Sequence, residues 1–587
     1  MNKLLKMSFD RMGYTYDYLK DINTDKYSGQ YLFKDEDKLI LGLREAKTNN
    51  LKIVIFPDFD IDGLSSGICL YSGLTLLGFN VELYMPDVNN GYGFVREDID
   101  KALSQWPDAD IILTCDVGIT CKDAISYAKS KGLKVYVTDH HIEPVNDRVD
   151  ADIIVDPIRY DETCDFIGVC GAYVAYHVIR TYADLTGNEA IISLISHLSL
   201  FVSLGSMGDL MPVLYDTRNI VKAGLKEFNR LLDCETLDDY FGCSVDMLPE
   251  VFVNPFANIQ GLHFWLLRNK VIAPGDVTET MYGFIYCPMF NSVKRMGESL
   301  ENLYGLFYDT MDSKDELFLQ RAKWLHDLNV QRKELVAMHF AKFFEEEADQ
   351  PYAPYVFFTD ARPGIMGLLA MKAMGVSGRP TMVVSEFDDC FSGSGRLPKW
   401  FTASLLRTAI IKDHITVAGH AAAFGITIEK EHIMDFCEWL YDTTKSEMVR
   451  AESEFVETRP ALGINHPDMY PECDYSICTN NDYDVCFGCA DEVGKYGPYG
   501  TDYPEPEFRL FFTKKDVVEY RTMGSDNSHF RAKLDHDITL VYFSGAECIK
   551  DFERADDNHV FCFAGNFNLN EFRGDVTLQF KVNSQIC

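Results

Sequence analysis

The sequence is short of positive charge. It carries 55 lysines and arginines against 90 aspartates and glutamates, a net charge of -35 over 587 residues. That balance excludes a broad basic face that gains affinity for polyanions by releasing counterions. A polyanionic substrate must instead be held by a local basic groove and by bound cations, with weak, salt-sensitive non-specific affinity. Long apolar runs are missing too. Residues 1–20 contain no continuous apolar stretch and no small-residue cleavage site, and the most apolar region, 191–204, is interrupted by His197 and four serines. A buried helix at 191–204, no membrane span and a cytoplasmic protein are expected. The 17 cysteines are odd in number and mostly single within apolar segments (Cys69, Cys115, Cys170, Cys287). This argues against a complete disulfide framework and for buried thiols. One grouping, Cys473, Cys478, Cys486 and Cys489, has the ligand type of a structural zinc. Its first spacing is loose and no second knuckle follows, so scattered thiols are preferred.

What the chain has in excess is acid, and some of it is placed. Asp58-Phe59-Asp60-Ile61-Asp62-Gly63, Cys115-Asp116-Val117-Gly118 and Asp139-His140-His141 each close a short apolar run, and Asp209 follows in a glycine-serine segment. An isolated Asp-x-Asp is usually a turn or a helix cap, and a lone His pair is usually structural. Three such clusters at the carboxyl ends of neighbouring strands converge on one point, where open α/β sheets bind ligands. Carboxylates with one or two imidazoles and no thiolate are the donor set of Mn²⁺ and Mg²⁺. Two such ions, on the order of 4 Å apart, clamp a phosphoryl centre and activate water, which points to a two-metal phosphoesterase.

At this length one core is too few, and three or four domains are expected. From residue 51 to about 215, β-rich runs (IVIF, VELYM, IILT, VYVT, ADIIVD) alternate with helix-length segments, the rhythm of a parallel α/β sheet. Residues 315–348 lack Gly and Pro and carry helical apolar spacing, which predicts a long helix bridging two lobes. A second α/β unit begins near Pro354, with strands YVFFTD and TMVVSE, a tight turn at Arg362-Pro363-Gly364, a Gly/Ser loop at 391–396 and the small-residue segment Ala418-Gly419-His420-Ala421. Either loop alone is usually an ordinary turn; together they suggest a phosphate pocket. Beyond about 456, short strands rich in aromatics predict a small all-β barrel or sandwich. Its aromatics are expected mostly in the core, with base stacking the alternative.

With these residues in hand, the chain resembles the RecJ-type single-strand exonucleases of the DHH phosphoesterase superfamily. Besides the three acidic clusters, the resemblance rests on Gly91-Tyr92-Gly93-Phe94, Val169-Cys170-Gly171-Ala172, Ser206-Met207-Gly208-Asp209, Asn291-Ser292-Val293-Lys294-Arg295-Met296, Ser392-Gly393-Ser394-Gly395-Arg396 and Ala418-Gly419-His420, in the family's order. It implies an N-terminal segment (1–50), a parallel-sheet DHH catalytic domain (51–300), a connecting helix (301–350), a second α/β, DHH-associated domain (351–455) and a C-terminal all-β OB-fold-like domain (456–587). The implied activity is 5′-to-3′ hydrolysis of single-stranded DNA with two Mn²⁺ or Mg²⁺ ions. The implied metal ligands are Asp58, Asp60, Asp62, Asp116, His140 and Asp209, with Asp116 the bridge. Asp139 would orient the first histidine, and His141 would face the scissile phosphate. Asn291, Arg295, Ser394, Arg396 and His420 would hold the strand. A single-strand-binding protein or a helicase is the expected protein partner, with no membrane.

The chain departs from the family pattern in places. Pro86-Asp87-Val88-Asn89-Asn90 stands where the family usually has an arginine, and Ala361-Arg362-Pro363-Gly364-Ile365 replaces its Trp-His-Pro-Gly-Val turn. Two other readings stay open: a DHH phosphodiesterase acting on oligoribonucleotides or cyclic dinucleotides, and a replication scaffold that has lost catalysis. The OB-like tail and the bridging helix favour a polymer substrate over the first. The intact set of acids disfavours the second.

Overall fold

Short β-branched runs separated by helices build a parallel sheet, because parallel neighbours need long crossovers. In the computed structural model, which describes all residues except 25–31, 87–92, 145–147, 165–167, 310–314, 346–351, 399, 402–404, 407–411, 420–421, 463–473, 477–479, 525–526, 536, 544, 573–574 and 586–587, five strands form it. They are β1 (Lys52–Pro57), β2 (Asn80–Leu83), β3 (Ala109–Cys115), β4 (Lys134–Thr138) and β5 (Ile153–Val155), in the order β2-β1-β3-β4-β5. All adjacent pairs are parallel. Side chains alternate between two cores, as strand geometry requires. Ile53, Ile55, Ile111 and Leu113 face one core; Val54, Phe56, Ile112, Val135 and Val137 face the other. Helices α1 (Ile61–Leu76), α2 (Gly171–Thr186) and α3 (Ser199–Gly208) pack together on the first face. The apolar stretch near 191–204 is a helix pair, Glu189–Ser196 followed by α3. By length and composition it can cross a membrane, but 67% of it is buried inside the protein.

The long helix is α4 (Glu316–Glu345). Phe318, Ala322 and Leu325 lie in the first core, while Phe343 near its far end stacks on Phe357 of the next unit with ring centroids 4.5 Å apart. That unit holds β6 (Val356–Phe358), α5 (Pro363–Ser377), β7 (Thr381–Glu386), β8 (Cys390–Arg396), β9 (Ile415–Gly419) and β10 (Ala423–Glu429), with strand order β6-β7-β8-β10-β9. Two expectations are corrected here. The Gly/Ser segment at 391–396 is not a loop but the strand β8, hydrogen-bonded to β7 on one side and β10 on the other. Its glycines answer crowding: a Cβ on Gly393 would stand 1.9 Å from the Val383 carbonyl oxygen. Its amides are thus committed to the sheet rather than open to a phosphate. Likewise Arg362-Pro363-Gly364 opens α5, with proline in the first turn where no amide is needed.

The C-terminal strands β11 (Asp474–Ser476), β12 (Phe508–Thr513), β13 (Val517–Met523), β14 (His529–Leu534), β15 (Ile538–Tyr542), β16 (Val560–Phe572) and β17 (Asp575–Gln585) form a seven-stranded sheet. Phe508, Phe512, Phe530, Phe561, Phe563 and Phe580 are buried, so the aromatics build the core. The region is not wholly β. Helix α6 (Asn480–Val493) packs on the sheet, and the N-terminal helix Lys3–Arg11 packs on α6. Cys486, Cys489 and Val493 recur at helical spacing and are buried with Leu4, Leu5 and Phe9. Two of the four thiols weighed as a zinc site are therefore core residues, whereas Cys473 and Cys478 lie outside the described residues. Arg218 joins this unit to the first. It is buried, its guanidinium donates to the carbonyls of Tyr496, Gly497 and Pro498, and it sits 4.5 Å from the Tyr503 ring centroid.

Candidate active site

The carboxyl ends of β1, β3 and β4 are adjacent in the sheet, and the acids that follow them meet. Asp60 caps α1, its Oδ1 accepting from the amides of Asp62 (3.0 Å) and Gly63 (3.4 Å). Asp62, in the first turn of α1, accepts from the amides of Gly171 (2.7 Å) and Ala172 (3.0 Å) at the start of α2, where a helix dipole favours negative charge. Asp116 follows β3 with φ +61°, a left-handed conformation that Asp tolerates better than most residues. Glycine at 171 is required by this approach, since a Cβ there would lie 2.6 Å from Asp116 Oδ1.

His140 is the hub. Its Nε2 is 3.1 Å from Asp116, 3.6 Å from Asp62 and 3.6 Å from Asp209, the residue that ends α3. Asp58, Asp62, Asp116, Asp139 and His140 are all at most 3% exposed. Candidate ligand atoms cluster within 4.8 Å as Asp58/Asp60/Asp116 and as Asp62/His140/Asp209, and Asp116 also groups with His140 and His141. Asp139 differs from expectation. Its carboxylate pairs with the ring of His141 (Nδ1, 2.8 Å) and accepts the amides of Ile119, His140 and His141, so it orients the second histidine rather than the first.

The electrostatics of the site call for cations. Burial, then the neighbouring carboxylates, push Asp116 and Asp209 well above the usual carboxylate range, and Asp58 is pushed up to about 6 by burial. Asp60 goes the other way: burial raises it, but Lys294 and the capping amides outweigh burial. Burial holds His140 low, as a neutral ligand requires. His141 is lifted to about 10, because its bond to Asp139 and the surrounding carboxylates outweigh burial. Asp58 Oδ1, Asp116 Oδ1, Asp209 Oδ2 and His140 Nε2 are buried with no hydrogen-bond partner. Buried polar atoms are ordinarily satisfied, so these four fit a divalent-cation site of oxygen and imidazole donors.

Beside the acids, at the seam with the second unit, lies a cavity of about 240 Å³ lined by Asn291, Lys294, Arg295, Ser394 and Arg396, with Asp60 at one edge. Pro363, Gly364 and Gly367 from the first turns of α5 complete it. Burial, then the neighbouring Arg295, holds Arg396 down to about 10, and its Nε is buried without a partner. Two guanidiniums facing one small cavity at a helix amino terminus suit an oxyanion such as phosphate. Asn291 lines the cavity while its Oδ1 accepts the Ile61 amide (2.8 Å), bracing the acidic turn. His420, and residues 87–92 where the family's arginine has no counterpart, lie outside the described residues. Sequence reasoning missed Lys294 and Arg332. Lys294 Nζ is 3.5 Å from Asp60, and Arg332 is buried on α4 and held down to about 10 by burial, then Arg295. The adjacent bases of Val293-Lys294-Arg295 in so acidic a chain were the available signal.

A model of the DHH family's N-terminal domain matches residues 52–201, and a model of the RecJ OB domain matches 481–584. The single-stranded-DNA-specific exonuclease RecJ of Haemophilus influenzae is 24% identical over 567 residues, which covers 92% of this chain and 88% of that protein. The chain is RecJ-like, with a DHH-family N-terminal domain and a RecJ OB domain. RecJ of Bacillus subtilis is 23% identical over 546 residues, covering 92% of this RecJ-like chain and 61% of its own length. RecJ of Thermus thermophilus in complex with Mn²⁺ aligns with TM-score 0.68 at 20% identity over 100% of this chain and 76% of that one. That likeness is one of fold, parallel DHH sheet and C-terminal sheet included.

Proposed function

We propose that the protein is a two-metal-dependent exonuclease that hydrolyses phosphodiester bonds of single-stranded DNA from the 5′ end. The observation that carries the reading is the convergence of Asp58, Asp60, Asp62, Asp116, His140 and Asp209, with four buried donor atoms unpartnered, beside a cavity lined by arginine. Asp58, Asp60 and Asp116 would hold one ion and Asp116, His140, Asp62 and Asp209 the other, with Asp116 common to both groups. Asp62 is already bound by two amides and contributes mainly charge. Mn²⁺ or Mg²⁺ bound there would supply an activated water and charge stabilisation at phosphorus. The chain's own groups do the rest. His141, oriented by its Nδ1 contact with Asp139, would face the scissile phosphate and hydrogen-bond an oxygen as charge builds there. Arg295, Arg396, Ser394 and Asn291 hold the phosphate at the strand's end, and Arg332 adds positive charge behind Arg295.

We divide the chain for this function into residues 1–50, 51–300, 301–350, 351–455 and 456–587, with the C-terminal unit carrying the strand toward the cleft. A net charge of -35 disfavours unaided capture of a polyanion. The reading therefore includes a strand-delivering partner, a single-strand-binding protein or a helicase, in the cytoplasm. The test is to offer the purified protein Mn²⁺ with 5′-labelled and 3′-labelled single strands of DNA and RNA, a blunt duplex and a dinucleotide. Mononucleotide release from the 5′ end of the DNA strand supports the reading. Turnover confined to dinucleotides replaces it with a small-substrate phosphodiesterase, and no turnover replaces it with a scaffold.

A further inference from the structure

Lys294 places an ammonium inside the acid cluster. Its Nζ stands 3.5 Å from Asp60, 3.7 Å from Asp58 and 4.2 Å from the ring centroid of Phe59. Those two carboxylates, with Asp116, make up one of the groups able to hold an ion. Lys294 sits on the short helix Ser292–Arg295, which packs against both α4 and α5, so its backbone is held at the seam of two units. Asp58 keeps a buried Oδ1 with no hydrogen bond, so the lysine balances charge without using up the oxygens.

We propose that Lys294 is an internal counter-cation for Asp58 and Asp60, holding them together in the metal-free protein and competing with the divalent ion for that half of the site. The inference rests on the two-metal reading above. An ammonium and a divalent ion beside the same two carboxylates repel one another, so the lysine weakens binding of that ion while relieving carboxylate repulsion before it arrives. The four-carbon stem is flexible enough to yield. The ammonium also lines the cavity shared with Arg295 and Arg396, where, displaced from the acids, it faces the substrate's phosphate.

Isothermal titration of Mn²⁺ into the full-length, chelator-treated protein without DNA tests this, alongside melting of the metal-free forms. Lys294→Met keeps the stem and removes the charge; Lys294→Arg keeps the charge. The Met variant is expected to bind one of two Mn²⁺ ions about tenfold more tightly and to melt lower when metal-free, with the Arg variant close to wild type. Unchanged or weaker Mn²⁺ binding by the Met variant, or a metal-free melting point at or above wild type, overturns the inference. Wild-type protein that takes up no Mn²⁺ overturns both the two-metal reading and this one. Two ions bound by wild type with the same constants in the Met variant overturn this inference alone.

Discussion

Replacing Asp116 by Asn separates what the carboxylate does for metal from what it costs the fold. The site is 2% exposed, at φ +61°, and Oδ1 accepts no hydrogen bond but lies 3.1 Å from His140 Nε2. Asn is the better probe than Ala, because it matches the shape and tolerates a left-handed backbone. Burial and four neighbouring carboxylates disfavour the charge, so the metal-free variant is expected to be more stable than wild type. With Mn²⁺ the order reverses. At a concentration 100-fold above the dissociation constant, an ion binding only the folded state stabilises it by about 2.7 kcal/mol per site. Loss of a shared ligand that weakens binding roughly a hundredfold leaves about 0.4 kcal/mol at the same concentration. Cleavage should fall by about a thousandfold or more. The assay is urea denaturation with chelator and with Mn²⁺, followed by release of labelled nucleotide. A variant that keeps the Mn²⁺ increment refutes the bridging role, and one that is destabilised without metal refutes the electrostatic account.

The pH dependence of the metal-free protein has a definite sign. Asp58 is lifted to about 6, so its contribution is present below about pH 4 and is lost as pH rises through 6, a swing of about 3 kcal/mol. His141 is lifted to about 10, so its contribution is complete below about 6.5 and fades as pH climbs through 10. Chemical denaturation in chelator should show both declines, whereas the stabilisation by Mn²⁺ should grow from about pH 4 to 7 as ligands deprotonate; a flat metal-free profile would contradict this. Arg396→Ala should raise KM for single-stranded DNA roughly 10- to 100-fold and flatten the salt dependence of binding; unchanged binding would remove the cavity from the substrate path. Gly171→Ala forces a Cβ to within 2.6 Å of Asp116 Oδ1; Mn²⁺ affinity should drop while the far-ultraviolet spectrum stays native, and unaltered affinity would argue against the tight carboxylate packing.

Much of the site was legible because strand ends and acids are local. Runs such as LKIVIF and ADIILT announce strands, and Asp58 and Asp116 follow them directly, so adjacency in the sheet brings the carboxylates together. What was not legible depends on long-range packing. Asp62 turning to the amides of Gly171 and Ala172, and Lys294 reaching Asp60, join residues more than a hundred positions apart. Asp139 choosing His141 over His140 follows from a local turn whose geometry the letters Asp-His-His do not specify. At 391–396 glycine and serine suggested a loop, but the same small residues suit a crowded inner strand, and the sheet on both sides decides between them. Residues 3–11 and 480–493 cover each other, so neither segment alone showed that the C-terminal unit includes helices.

The central claim is that two cations sit between these strand ends. Diffraction from Mn²⁺-soaked crystals at the manganese absorption edge tests it most directly. Two anomalous peaks are expected roughly 4 Å apart, one against Asp58 and Asp60, one against His140 and Asp209, with Asp116 touching both. A single peak elsewhere, or none among these side chains, would contradict the account.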